Sequence, residues 1–110
     1  MSGFRLIDAT GLPASPLDAA AEFHAGVVPP AREALLSADV VIGFASADYP
    51  HAAWRLAAVQ ELAREAAPRR VNAVAGPAGT GRDSALAYLA NAPGVTGQVL
   101  QVDGNPAQSD

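Results

Sequence analysis

The sequence predicts a small three-layer α/β domain whose sheet is mostly parallel and has about four strands. Three observations predict it. Short apolar runs alternate with longer amphipathic stretches in the order β-α-β-α-β-α-β. The segments between them are short, and strands that return through helices run parallel. Half of the 110 residues are hydrophobic and 16% are charged, a globular rather than a disordered composition.

The elements follow in order. Phe4 to Ala9 reads as a short strand, closed by the turn-prone Thr10-Gly11-Leu12-Pro13. Ser15 is placed to cap a helix, with Pro16 at its first position, where the missing N–H costs no hydrogen bond. That helix is expected to reach about His24. Gly26 and Pro29-Pro30 break it, and a second segment runs from Ala31 to Ser37. Asp39 to Phe44 is a continuous apolar run, as in a strand covered on both faces, and Ala45 to Pro50 is loop. Ala52 to Ala67 is the clearest helix, ended by Pro68, with Trp54, Ala58 and Leu62 on one stripe. Arg69 and Arg70 stand just past its C-terminus, where the dipole favours cations. Val71 to Ala75 is a third strand, Gly76 to Gly81 a turn and Arg82 to Asn91 a short helix. Residues 98–102 make the last strand, so residues 1–104 are expected to form one domain, with a polar tail at 105–110.

Composition removes several chemistries. The chain has no Lys, so a Schiff-base lysine, a phosphate-loop lysine and a Tyr–Lys pair are all excluded. Without Cys there are no disulfides, thiolate nucleophiles or Cys-based metal sites. A net charge of −4 argues against nucleic acid as a partner, since neutralising phosphates needs a basic face. With no apolar stretch suited to a membrane or a leader, the expectation is a cytoplasmic protein without a membrane partner.

Few residues carry candidate chemistry. The Gly76–Gly81 loop lies between a strand and a helix, but Arg82-Asp83 stands where a phosphate loop needs Lys and Ser or Thr. It reads as a structural turn. Ser46, Asp48, Tyr49 and His51 cluster after the second strand, at the carboxyl end where open parallel sheets place their sites. Ser46 and Tyr49 are the catalytic candidates there, although no G-x-S-x-G elbow surrounds the Ser. His24 and His51 lack the neighbouring carboxylates of a metal site, so no metal is expected, and His24 is read as half-buried.

Two stretches carry a family resemblance. Leu62-Ala63-Arg64-Glu65, followed by Arg70-Val71-Asn72-Ala73-Val74-Ala75-Gly76-Pro77, resembles the L-A-x-E … R-V-N-A-V-x-P-G segment of short-chain dehydrogenases/reductases. Leu89-Ala90 with Thr96-Gly97-Gln98-Val99-Leu100-Gln101-Val102-Asp103-Gly104 resembles that family's closing L-A … T-G-Q-x-L-x-V-D-G-G. The resemblance implies a Rossmann-like domain corresponding to the C-terminal half of a truncated, degenerate member. It makes 39–44 the strand that carries the catalytic Ser, and 52–67 the long interface helix.

The departures are equally specific. The opening T-G-x-x-x-G-x-G fingerprint and the N-N-A-G segment are missing, and Tyr49 follows Ser46 after only three residues. The Y-x-x-x-K motif would put Lys at position 53, where the chain has Ala53; the nearest base, Arg55, is at the wrong helical phase. The P-G turn is reversed to Gly76-Pro77. A Tyr at its reference pKa of about 10 is a poor base at neutral pH. The resemblance therefore implies a non-catalytic subunit that binds no cofactor itself and joins a full-length homologue carrying NAD(P), or else a second copy of itself. The expected interface residues are Trp54, Ala58, Leu62, Val99, Leu100 and Val102. Two alternatives stand beside this: a minimal oxidoreductase acting on a carbonyl or alcohol substrate through Ser46 and Tyr49, with Arg55 in place of Lys, and a small-molecule-binding homo-oligomer.

Overall fold

A computed structural model describes residues 3–102. Its four strands, β1 (Phe4–Ala9), β2 (Asp39–Phe44), β3 (Val71–Ala75) and β4 (Val99–Gln101), form one parallel sheet in the order β1-β2-β3-β4. The helices are α1 (Pro16–Glu22), α2 (Val28–Leu35), α3 (Ala52–Ala66) and α4 (Thr80–Ala90). This is the three-layer α/β arrangement that the alternation of runs predicts. The tail at 105–110, together with Asp103 and Gly104, lies outside the described residues.

Strand burial follows from which faces the helices cover. Val40, Ile42 and Phe44 of β2 and Val71, Ala73 and Ala75 of β3 meet Phe23 and Val27 beyond α1, and α2 and α3, in the main core. On the opposite face α4 lays Leu89 against Val41 and Val74, with Leu100 beside them. Both central strands are therefore buried on both sides, which is why their sequences lack alternation. The edge strand β1 is different. Leu6 stays 42% exposed on the face that α4 leaves open.

The chain from α1 to α2 corrects one expectation. Ser15 Oγ accepts the Asp18 N–H at 3.5 Å and Pro16 opens α1, as predicted. Beyond it the helix is not interrupted. Phe23–Val27 forms a π-turn in which Val28 N–H reaches back to Phe23 O, and α2 starts at Val28 rather than Ala31. Pro29 and Pro30 sit in the first turn of α2, where their lost donors are tolerated. The widened turn keeps Phe23, Val27 and Val28 all facing the core. On the outer side Arg32 donates from Nε to Glu65 Oε2 at 2.7 Å and from Nη2 to Oε1 at 2.8 Å, tying α2 to α3.

The Arg32 hydrogen bonds hold the Glu65 carboxyl below its ordinary value, and the Coulomb attraction acts in the same sense against desolvation. A depressed folded pKa stabilises the fold above the unfolded carboxylate range, and this contribution is lost as pH falls through the folded value. Glu65→Gln is expected to flatten that acid limb, with only a small, salt-screened loss near neutrality because the pair is exposed. Urea midpoints measured from neutral to acid pH provide the check. Parallel profiles for wild type and variant would mean that the pair contributes nothing.

The last crossover is unusual. The chain advances in one direction across the sheet, yet α4 lies on the opposite face from α1, α2 and α3. The β3–α4–β4 connection therefore has the opposite hand from the two before it, so the three cannot all be of the prevailing right-handed kind. Side chains hold it in place. Arg70 Nη1 donates to the carbonyls of Leu89, Ala92 and Val95 at 3.0, 2.7 and 3.3 Å, and its Nε donates to Asp39 Oδ2 at 3.1 Å. Arg70 thus caps α4, not α3 as its position in the sequence suggests. Asn72, 2% exposed, donates from Nδ2 to Val95 O and accepts the Gln98 N–H on Oδ1, each at 3.0 Å. Thr96 Oγ1 accepts the Val71 N–H at 3.1 Å.

Candidate functional site

The carboxyl ends of β1 and β2 open into a cleft of about 280 Å³. The turn after β1 supplies Thr10, Leu12 and Pro13, and the loop after β2 supplies Ser46, Ala47 and Asp48. His51 and Arg55, at the start of α3, close it. This is where a parallel sheet collects loop residues, since every strand points the same way.

Ser46 lies in the cleft, exposed, with no hydrogen-bond partner for its hydroxyl among the described residues. Tyr49 does not line it. Asp48 is extended and the chain then enters a single 3₁₀ turn, Tyr49–His51, which leaves the Tyr49 side chain 90% exposed. The two catalytic candidates are thus not brought together in one pocket, and the short spacing between them is the reason.

His51 is buried in a structural role. Its Nε2 donates to Ala14 O at 2.9 Å, and its Nδ1 accepts the Trp54 indole N–H at 3.1 Å. Those two bonds assign the Nε2–H tautomer and leave neither nitrogen free to act on Ser46. His24 is exposed rather than half-buried, hydrogen-bonded to Ala20 O at 2.8 Å. Among the described residues no group of three or more His, Cys, Asp or Glu could hold a metal ion.

Arg55 was the least legible member. It is only 6% exposed, with its guanidinium 4.3 Å from the centre of the Phe44 ring. Nη1 donates to Ala45 O at 2.9 Å, while Nε is buried without a partner. Burial pushes its pKa below the ordinary value, yet a guanidinium starts so high that it keeps its charge at neutral pH. The buried set of α3 is Arg55, Ala58, Val59, Leu62 and Ala63. That stripe, at spacings of one, three and four, is the signal that would have placed Arg55 inward.

The same stripe corrects the expected interface. Ala58 and Leu62, 5% and 4% exposed, face the sheet and leave nothing for another subunit. Trp54 is half-buried, its ring meeting Phe23 and Phe44 at centroid distances of 5.4 and 5.7 Å. Val99 and Leu100 are half-buried against the two cores, and Val102, also half-buried, packs beside Gly76. What the first half of α3 turns outward is small and apolar, Ala53, Leu56 and Ala57, while Glu61, Arg64 and Glu65 are exposed in its second half.

No described helix is long and apolar enough to cross a membrane. No curated protein and no solved structure matches the chain. A family model does, over residues 7–102, so it takes in the second half of β1, all of β2 to β4, the cleft and the hydrogen-bonded Arg70–Asn72–Thr96 clamp. With nearly its whole length inside that match, the chain belongs to the SDR-like family of short chain dehydrogenase-like proteins.

Proposed function

We propose that this chain is a non-catalytic member of the family that assembles with a full-length NAD(P)-dependent short-chain dehydrogenase/reductase and supports it. The placement of Tyr49 carries the reading. Proton transfer in such a site needs Ser, Tyr and a cation within hydrogen-bond reach of one carbonyl. Here Tyr49 is 90% exposed outside the cleft, position 53 is Ala, and the cation that does line the cleft, Arg55, is a guanidinium stacked on Phe44 rather than a Lys beside the Tyr. The nucleotide and the proton donor would come from the partner.

Surface features support assembly. Among the described residues nothing pairs with the outer edge of β1, and unpaired edges invite pairing. Leu6 is exposed on the open sheet face, and the outward face of the first half of α3 is small and apolar, with Leu56 40% exposed between Ala53 and Ala57. Small residues let a second helix approach closely. An obligate interface of this kind would bury more than about 2,000 Å² in total.

Co-expression with full-length short-chain dehydrogenases of the same genome, beginning with any encoded beside it, tests the assignment. Size-exclusion chromatography with light scattering should show a stable hetero-oligomer. Leu56→Glu should weaken it by about tenfold or more, as a central contact residue does, while leaving the melting temperature of the isolated chain unchanged. Elution as a monomer indifferent to every such partner would end the proposal.

A further inference from the structure

The cleft holds a cation with which no carboxylate pairs among the described residues. Arg55 makes no ion pair among the described residues; the three pairs present are Arg32–Glu65, Arg64–Glu61 and Arg70–Asp39. Its nearest engagements are neutral, a backbone carbonyl and an aromatic face. Sequestering a charge with so few partners is unfavourable, and proteins ordinarily place a carboxylate beside it. Asp48 lines the same cleft but does not pair with it. Desolvation of the guanidinium, which lowers its pKa, is the electrostatic mark of the same shortfall.

We propose that this cleft binds the carboxylate of a small organic acid, with Arg55 as counter-ion and the Ser46 hydroxyl as a second donor. A planar guanidinium matches a carboxylate in two parallel hydrogen bonds, and such charge-assisted bonds are the strong ones. Ser46 lines the same cleft, and its hydroxyl has no partner among the described residues. Leu12, Pro13 and Ala47 give the cleft a short apolar portion beside the polar Thr10, Asp48 and His51, and 280 Å³ admits an acid with a short hydrocarbon tail rather than a nucleotide. The charge of the ligand is limited as well. Asp48 at the cleft would repel a phosphate dianion more than a monoanion. The site needs neither Tyr49 nor a partner chain, so it stands or falls apart from the assembly proposed above.

Titration of the isolated chain with butyrate, butyramide and inorganic phosphate at constant ionic strength is the test. Amide resonances of residues 45–48 report the cleft, and thermal melting reports the stabilisation. Butyrate is expected to bind saturably and to raise the melting temperature. Butyramide and phosphate should each bind at least about tenfold more weakly. Arg55→Met removes the charge but keeps an unbranched apolar side chain at this buried position, and should lose about tenfold or more in affinity. Ser46→Ala, at an exposed loop position that leaves the fold undisturbed, should lose about twofold to tenfold, and it reads the site even if the Arg55 variant fails to fold. Equal binding of butyramide, equal or tighter binding of phosphate, undiminished binding by a folded Arg55 variant, or no saturable binding of butyrate would each overturn the proposal.

Discussion

Arg70→Met is expected to destabilise the domain by about 3–5 kcal/mol, lowering its melting temperature by well over about 10 °C. The side chain is 13% exposed and works in two directions at once. Toward β2 it faces Asp39, which also accepts the Arg70 backbone N–H at 2.9 Å, so the loss of the guanidinium leaves a partly buried carboxylate. Toward α4 it donates to the carbonyl of Leu89 in the last turn of the helix and to those of Ala92 and Val95 in the loop that follows, so one guanidinium ties the end of α4 to the start of β3. Removing one partner of such a pair costs more than removing both. Adding Asp39→Asn to the Arg70 variant should therefore cost less than the sum of the single changes. Urea denaturation of the four proteins gives the cycle. Hydrogen exchange in the variant should accelerate first in α4 and β4, which hang from this contact. A melting temperature within a few degrees of wild type, or strictly additive losses, would show that the contact is not what holds the opposite-handed crossover.

Much of the framework was legible because burial on both faces writes itself into the sequence. Val40 to Phe44 is a continuous apolar run, and Val71 to Ala75 is broken only by Asn72, since a helix covers each side of β2 and β3; Phe4 to Ala9 is bounded by a turn signal at Thr10-Gly11. Periodicity cannot say which face a helix will cover. The α4 sequence buries only Leu89 completely, so nothing in it marks the opposite side of the sheet. The Pro29-Pro30 pair announced a disturbance, but the chain absorbed it with a wider turn because Phe23 and Val28 both gain burial that way. At the site, the position of Ser46 follows from the end of β2, whereas the direction of Tyr49 depends on one turn of 3₁₀ helix that no spacing specifies. The burial of Arg55 is hidden for a chemical reason. Arginine is read as surface, and only its place beside Ala58, Val59 and Leu62 shows otherwise.

The R-V-N and T-G-Q stretches that carry the resemblance turn out to act on each other. Arg70, Asn72 and Val71 on one side meet Thr96, Gln98 and the Val95 carbonyl on the other, through bonds between 3.0 and 3.3 Å. They fix the last strand against β3 and lie away from the cleft at the ends of β1 and β2. Their presence therefore reports the architecture of the family rather than its chemistry, and a chain can keep them whether or not it transfers hydride.

Gly76→Ala is expected to cost about 2–5 kcal/mol, comparable to the Arg70 change but for a wholly steric reason. Gly76 ends β3 at φ +144°, a conformation that side chains rarely adopt, and a Cβ there would collide with both Cγ2 and the carbonyl oxygen of Val102. The collision cannot be relieved by a rotamer change, because one of the two atoms is backbone. Val102 would have to retreat, yet its N–H is bonded to Ala75 O at 2.8 Å, and Gly76 N–H is bonded to Phe44 O at 3.0 Å on the other side. The residue is thus pinned between β2 and β4 with no slack. Gly79 provides the comparison, having φ +147° but no atom within 4 Å of its would-be Cβ. Gly79→Ala should show the backbone strain alone, about 1–3 kcal/mol, so the difference between the two variants isolates the close approach. Val102→Ala in the Gly76 variant removes Cγ2 but not the carbonyl, and should recover only part of the loss. Urea midpoints for these variants decide the matter: equal effects of Gly76→Ala and Gly79→Ala would mean that β4 yields freely, and that this end of the sheet is held less tightly than its hydrogen bonds imply.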